Sequence, residues 1–328
     1  MMKAKKTIGF IVLSVLSLVL LTTQAFAAPS DTARAALKTK LNNVTGAVAK
    51  KFNAKDNLGN TMDTAKIIAN PAVSGQFLAV YHTYTSGVAK VNLATSTDLM
   101  NWTFVKSLAG SLGNNATQPT IKVASDGGYV VAWEQEPNNH IKVAYYTTWA
   151  NLQTGTTSKS YNVPRTLSNY AEGTPNLYSA SSTSVDIGFH YFKNGDVDRQ
   201  ARGTLANFNS WTASAQTNVD NSLLYWGVAG NIGDRDGKLT YSGYDFGLIE
   251  GQFTKNNFGT FRSFIYDYST GNAEQLNPVT PNGSTAFANP TFTTVTLNGV
   301  TRIVVTLFIF SEGAGSGESG ELIYYFNA

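Results

Sequence analysis

Short apolar runs, each bounded by turn residues, recur along the chain from Thr61 onward. Phe77-Leu78-Ala79-Val80-Tyr81-His82 and Val88-Ala89-Lys90-Val91-Asn92-Leu93-Ala94-Thr95 flank a Ser-Gly turn and predict a strand pair. Ser96-Thr97-Asp98-Leu99-Met100-Asn101-Trp102 closes that unit. A second unit holds Thr120 to Ala124, Tyr129 to Glu134 and Ile141 to Thr147, and closes at Trp149-Ala150-Asn151-Leu152. A third holds Asn176 to Ser179, Val185 to Phe192 and Val197 to Leu205, and closes at Asn207-Phe208-Asn209-Ser210-Trp211. The fourth is less regular: Leu223 to Val228, Leu239 to Tyr244, Leu248 to Phe253 and Gly259 to Phe261. The fifth takes Ser263 to Tyr268, Thr291 to Leu297, Arg302 to Phe310 and Glu321 to Phe326. Units starting roughly every 45–60 residues fall within the period of propeller blades. Five four-stranded units predict an all-β, five-bladed β-propeller. A β-sandwich is the rival, but it does not account for the recurring Asn/Trp closures.

Two segments precede the repeats. Met1 to Ala27 reads as a secretory signal peptide: Lys3, Lys5 and Lys6, then the apolar Ile8 to Leu21, then Ala25-Phe26-Ala27 as a cleavage signal. Residues 28–60 form a lead-in. Within it, Thr32 to Leu41 has helix-forming composition with Ser30 or Asp31 as cap. It predicts a short helix packed on the domain, or a flexible lead-in. The propeller domain is then 61–328.

Composition narrows the function classes. Of 328 residues, 42% are hydrophobic and only 14% charged, with a formal net charge of +3. Part of that charge lies in the leader, so no basic patch points to nucleic acid. No stretch after the leader is long and apolar enough for a membrane span. There is no cysteine, hence no disulfide and no catalytic thiol. The expectation is a secreted, extracellular, monomeric protein.

Four places share a frame at the entry to a strand: Asn70-Pro71, Gln118-Pro119, Glu172-Gly173-Thr174-Pro175 and Asn289-Pro290. In a propeller the innermost strand of each blade lines an axial channel, so the frame predicts that Asn70, Gln118, Glu172 and Asn289 converge at its mouth. Glu172 is the copy carrying an acid. Its structural alternative is a carboxylate that caps a turn or pairs with Arg165. Glu134 and Glu136, two apart, share a strand face. His82 and His190 occupy matching strands. Asp198-Arg199 is either a carboxylate–guanidinium ion pair or a place where Arg199 holds a ligand hydroxyl. Trp133 and Trp226 are ligand-stacking candidates, with core packing as the alternative. The acidic, Gly-rich Ser311 to Glu321 stretch reads as a hairpin, a flap over the channel or a calcium-binding turn. It has no lysine and no following helix, so it is not a phosphate loop.

On Ala94-Thr95-Ser96-Thr97-Asp98-Leu99-Met100-Asn101-Trp102 and on Glu172-Gly173 followed by Pro175, the chain resembles the secreted five-bladed propellers of glycoside hydrolase family 43 and the related levanase and invertase group. The resemblance implies hydrolysis of an arabinose-, xylose- or fructose-containing glycan. It implies Glu172 as general acid in the third blade, an Asp base in the first and an acid-orienting Asp in the second. This sequence departs from the pattern at Asn70 and Gln118, which cannot take a proton. Asp63 is the nearby substitute for the base, and Glu134 or Glu136 for the second acid. Asn70, Gln118, Glu134, Glu136, His82, His190, Arg199 and Asn289 are then the substrate-binding candidates. No cofactor or catalytic metal is called for, though a structural calcium ion near a central His fits the resemblance. The alternative function is a carbohydrate-binding propeller that has lost its base.

Overall fold

A computed structural model describes residues 28–328, without the side chains of Asp234 and Arg235; the leader, 1–27, lies outside the described residues. Helix α1 (Asp31–Asn42) and strand β1 (Ala49–Lys51) come first. Blade I is β2 (Asp63–Ala69), β3 (Phe77–Thr85), β4 (Val88–Ser96) and β5 (Thr103–Ala109). Blade II is β6 (Ala116–Val123), β7 (Tyr129–Gln135), β8 (His140–Tyr146), helix α2 (Trp149–Thr154) and β9 (Lys159–Asn162). Blade III is β10 (Glu172–Ala180), β11 (Ser184–Lys193), β12 (Val197–Ala206) and β13 (Ser210–Ala215), followed by helix α3 (Thr217–Leu224). Blade IV is β14 (Ile232–Tyr241), β15 (Tyr244–Gln252), β16 (Phe261–Asp267) and β17 (Asn272–Gln275). Blade V is β18 (Phe287–Leu297), β19 (Val300–Ile309) and β20 (Gly320–Asn327), with β1 as its outermost strand.

The five-bladed propeller read from the repeat is therefore the fold, with two boundaries moved. Leu223 to Val228 is the end of α3 and the turn after it, not a strand; Leu223 is buried while Leu224 and Tyr225 face solvent. Residues 263–268 belong to blade IV, not blade V. The fourth strand that blade V then lacks comes from the lead-in: Ala49, Lys50 and Lys51 pair with Tyr325, Tyr324 and Ile323. Closing the ring this way covers the edge of β20 with a short, lysine-bearing strand. Helix α1 packs by Ala33, Leu37 and Leu41 into the core shared by blades IV and V, so this part of the lead-in is docked.

The Asp-Leu-x-Asn-Trp closure is a folding device. Asp98 Oδ1 accepts the Met100 and Asn101 amides, and Ser96 Oγ accepts those of Asp98 and Leu99. The turn buries Leu99 and Trp102, and the indole donates to the Leu99 carbonyl at 3.1 Å. Apolar residues on both faces of the second strands, such as Phe77 to Tyr81, fill the clefts between neighbouring blades. At about 25 cal/mol per Å² of apolar surface, this inter-blade burial is the main source of stability.

Candidate active site at the channel mouth

Each inner strand carries a bulge near its start. The register slips between Asp63 and Lys66, Thr117 and Thr120, Gly173 and Asn176, Asp234 and Asp236, and Ala288 and Thr291. In blades I, II, III and V the extra residue has positive φ: Thr64 (56°), Gln118 (53°), Thr174 (52°) and Asn289 (48°). A left-handed conformation is costly for a β-branched threonine, and such strain collects at functional sites.

The bulges give the correct equivalences. Thr64, Gln118, Thr174 and Asn289 correspond, and the prolines of the frame follow three of them. Glu172 therefore lies two residues before the equivalent position. Asn70 is not at the mouth at all: it follows β2, at the other end of that strand. Its side chain accepts the Tyr129 hydroxyl at 2.7 Å and donates to Gln76. The Asn-Pro dipeptide there is a turn signal, which the frame mistook for a strand entry.

Opposite the bulges, the second strands present a ring of matched positions. Asp63 pairs with His82, Thr117 with Glu134, Gly173 with His190, Gly233 with Glu250, and Ala288 with Phe308. The two histidines do occupy equivalent places. His82 is buried, its Nδ1 2.9 Å from Thr64 Oγ1. His190 is partly exposed, its Nε2 3.8 Å from Asp198 Oδ1. Arg199 does not pair with that carboxylate. Its guanidinium donates to the carbonyls of Asp198 and Gly230, each at 2.7 Å, and so ties blade III to blade IV.

Several acids are spent on backbone amides. Glu172 is 1% exposed. Its Oε1 accepts the amides of Thr166 (2.7 Å), Leu167 (2.5 Å) and Ser168 (3.0 Å), closing the loop before β10. Arg165 turns away to the Tyr170 carbonyl. Asn289 is buried, and its amide donates to Glu250 across the blade IV–V junction. Glu321 accepts the Thr64 and Ala65 amides at the blade I bulge. Glu318 is buried and holds Thr280, Ser284 and the Asn282 amide. The acidic Gly-rich stretch is thus anchored at two of its three acids, which makes it neither a flap nor a shared ligand set. Among the described residues, no group of three His, Asp or Glu side chains is arranged to hold a metal ion.

The acids of blades I and II are placed differently. Asp63 Oδ2 accepts the Thr61 hydroxyl at 3.0 Å, yet burial holds the Asp63 carboxyl above the usual aspartate range. Glu134 is half-buried; its Oε1 accepts Asn139 Nδ2 at 3.0 Å. Its Oε2 lies over the Gly173 backbone, where a Cβ would meet it at 2.1 Å, so a side chain at that point of blade III would have to push Glu134 aside. Glu136 Oε2 accepts Asn115 Nδ2 at 2.8 Å. All three carboxyls act on one side chain, Tyr84. Burial raises the Tyr84 phenol first, and the charges of Glu136, Asp63 and Glu134 raise it further. Tyr84 remains 65% exposed, edge-on to His82 at 5.8 Å between centroids. Gln118 is partly exposed. Sequence reasoning missed Tyr84, although it lies two residues beyond His82 on the same strand face.

The two tryptophans do not join this cluster. Trp133 is buried with its indole on Gln135, and Trp226 donates to the Ala273 carbonyl at the outer strand of blade IV.

No protein-family model matches the chain, and no curated protein matches it. Solved structures do. An α-L-arabinofuranosidase from Podospora anserina, in complex with cellotriose, aligns with TM-score 0.53 at 12% identity, over 84% of this chain and 95% of that one. An endo-1,4-β-xylanase from Bacteroides thetaiotaomicron gives 0.51 at 12% identity, over 85% and 92%. A β-1,3-galactosidase of glycoside hydrolase family 43 gives 0.53 at 12% identity, over 85% of this chain and 59% of that one. At these identities the likeness is one of fold: the chain has the five-bladed propeller fold of glycoside hydrolases that act on glycans.

Proposed function

We propose that this is an exported, extracellular glycoside hydrolase whose site is the acidic lip of blades I and II, with Asp63 as proton donor and Glu134 as its carboxylate partner. The carrying observation is that Asp63, Glu134 and Glu136 all lie near enough for their charges to raise the exposed Tyr84 phenol, with burial raising Asp63. Hydrolysis needs one carboxyl that keeps its proton and one that is ionised nearby. The raised carboxyl suits Asp63 to donate to the leaving oxygen, a reversal of the base role the resemblance implies. Glu134 would activate water or attack the anomeric carbon, and Tyr84 would stack on a sugar face. Glu172 would be structural: three amides of the loop before β10 converge on one of its oxygens, so its carboxyl clamps that loop. The neighbours in fold suggest pentose- or hexose-based plant and microbial glycans as substrates, and a fructose-containing glycan remains within the resemblance.

A second reading has its own observation. Thr64, Gln118 and Thr174 occupy the bulges of blades I to III, where neutral groups can bind hydroxyls but not transfer protons. That favours a glycan-binding propeller without turnover.

One assay separates them: reducing-sugar release from arabinan, arabinoxylan, xylan and levan, with pull-down on the insoluble glycans. Release lost in Asp63→Asn and Glu134→Gln but kept in folded Glu172→Gln supports the proposal. Release lost in folded Glu172→Gln alone returns the acid role to Glu172. Retention without release supports the binding reading. Export is checked by N-terminal sequencing of protein from culture medium, with Ala28 expected as the first residue.

A further inference from the structure

Below the mouth, the axial channel widens into a cavity of about 270 Å³ bordered by the inner strands of all five blades. Its lining includes Lys66, Lys122, Lys238 and Asp236, a surplus of two positive charges among the described side chains. Thr120, Thr293 and Thr294 line the same space, as does Thr240, whose hydroxyl donates to Asp245 at 2.6 Å.

The charges are unevenly satisfied. The Lys66 ammonium has three protons and three acceptors: Asp236 Oδ2 at 2.5 Å, Thr293 Oγ1 at 2.9 Å and the Phe292 carbonyl at 3.0 Å. The same Asp236 oxygen also accepts the Phe292 amide at 2.8 Å. Lys238 leans outward to Asp245, 3.8 Å away, and is half exposed. Lys122 has no hydrogen-bond or ion-pair partner among the described residues, although it is only partly exposed. Burial, and then the charge of Lys66, weaken its hold on its proton, and Asp236 offsets this only in part.

We propose that the cavity is an anion site in which Lys122 and the channel threonines hold one compact anion, a halide or a small oxyanion or carboxylate. A neutral sugar would fill the space without compensating the charge, and a cation would add to it. An ammonium withdrawn from water without a counter-charge is costly, so occupancy by an anion removes a standing penalty. Because Lys122 and Thr120 lie on blade II and Thr293 and Thr294 on blade V, the anion would tie these inner strands together across the channel and stabilise the ring. The site is independent of the glycan reading.

The test is thermal unfolding of the mature protein with chloride, nitrate, acetate or phosphate titrated at constant ionic strength, a bulky sulfonate making up the balance. Wild type is expected to gain a few degrees in a saturable manner with at least one probe. Lys122→Met should lose the saturable part, and Lys122→Arg should keep it. An equal response in wild type and Lys122→Met, or no saturable response to any probe, overturns the proposal. Should Lys122→Met fail to fold, calorimetric titration of wild type decides: one anion per chain supports the site, and no binding heat with any probe, together with no thermal response, refutes it.

Discussion

Two carboxyls stand at the starts of inner strands one blade apart, and the fold treats them in different ways. Glu172, entering blade III, is buried and gives one oxygen to three backbone amides. Asp63, entering blade I, is also largely removed from water but receives a single hydroxyl, and its proton is held more tightly as a result. Burial alone raises a carboxyl, while donated hydrogen bonds lower it. Three donors make Glu172 the clamp of a loop, while a single donor leaves burial to raise Asp63.

The strongest way to break this contrast is Asp63→Asn. Sugar release should fall by about 10²–10⁴-fold if Asp63 is the donor, measured as kcat/KM on the best glycan; an unchanged rate would remove the assignment. Glu172→Ala should act on the other side of the comparison. It strands three amides and should cost about 3 kcal/mol of stability, read by denaturant unfolding, and it should cost the protein that folds little in rate. Gly173→Ala should displace Glu134, whose Oε2 occupies the place of the new methyl. A shift of that kind should cost roughly 10-fold in rate or more, with the melting midpoint nearly unchanged. The smallest effect is in pH dependence. Because the folded Asp63 carboxyl is raised, the stability linked to its proton is complete below the unfolded pKa and is lost as pH rises through the folded one. Asp63→Asn should therefore gain on wild type as pH rises from the ordinary aspartate range toward neutrality. Activity that depends on the Asp63 proton should decline over the same interval.

The repeat was legible because each blade needs the same apolar alternation and the same turn chemistry, as at Ser96 to Trp102. Helix α3 was less so: Leu223-Leu224-Tyr225-Trp226 is a continuous apolar run, and periodicity alone does not tell a helix end from a strand. The blade V closure was hidden because Ala49-Lys50-Lys51 is polar and only half-buried, and its pairing is set by Tyr325, Tyr324 and Ile323 at the far end of the chain. At the site, the correspondence of His82 with His190 followed from strand alternation. The fate of Glu172 did not, since it rests on three amide directions in the preceding loop, which no side-chain pattern encodes. Asn70 misled because a proline turn looks alike at either end of a strand.

The pairing of β1 with β20 makes the covalent gap of the ring lie inside a sheet instead of between two blades. Ala49 faces Tyr325, so the two ends of the chain leave the same sheet side by side. A force applied to both termini would open this seam like a zipper, one rung at a time, where a shearing load would strain all rungs together. An attachment at one terminus alone would leave the seam unloaded. The Lys40 ammonium on the Asn327 carbonyl and the Tyr324 hydroxyl on the Leu41 carbonyl are the stitches beside it.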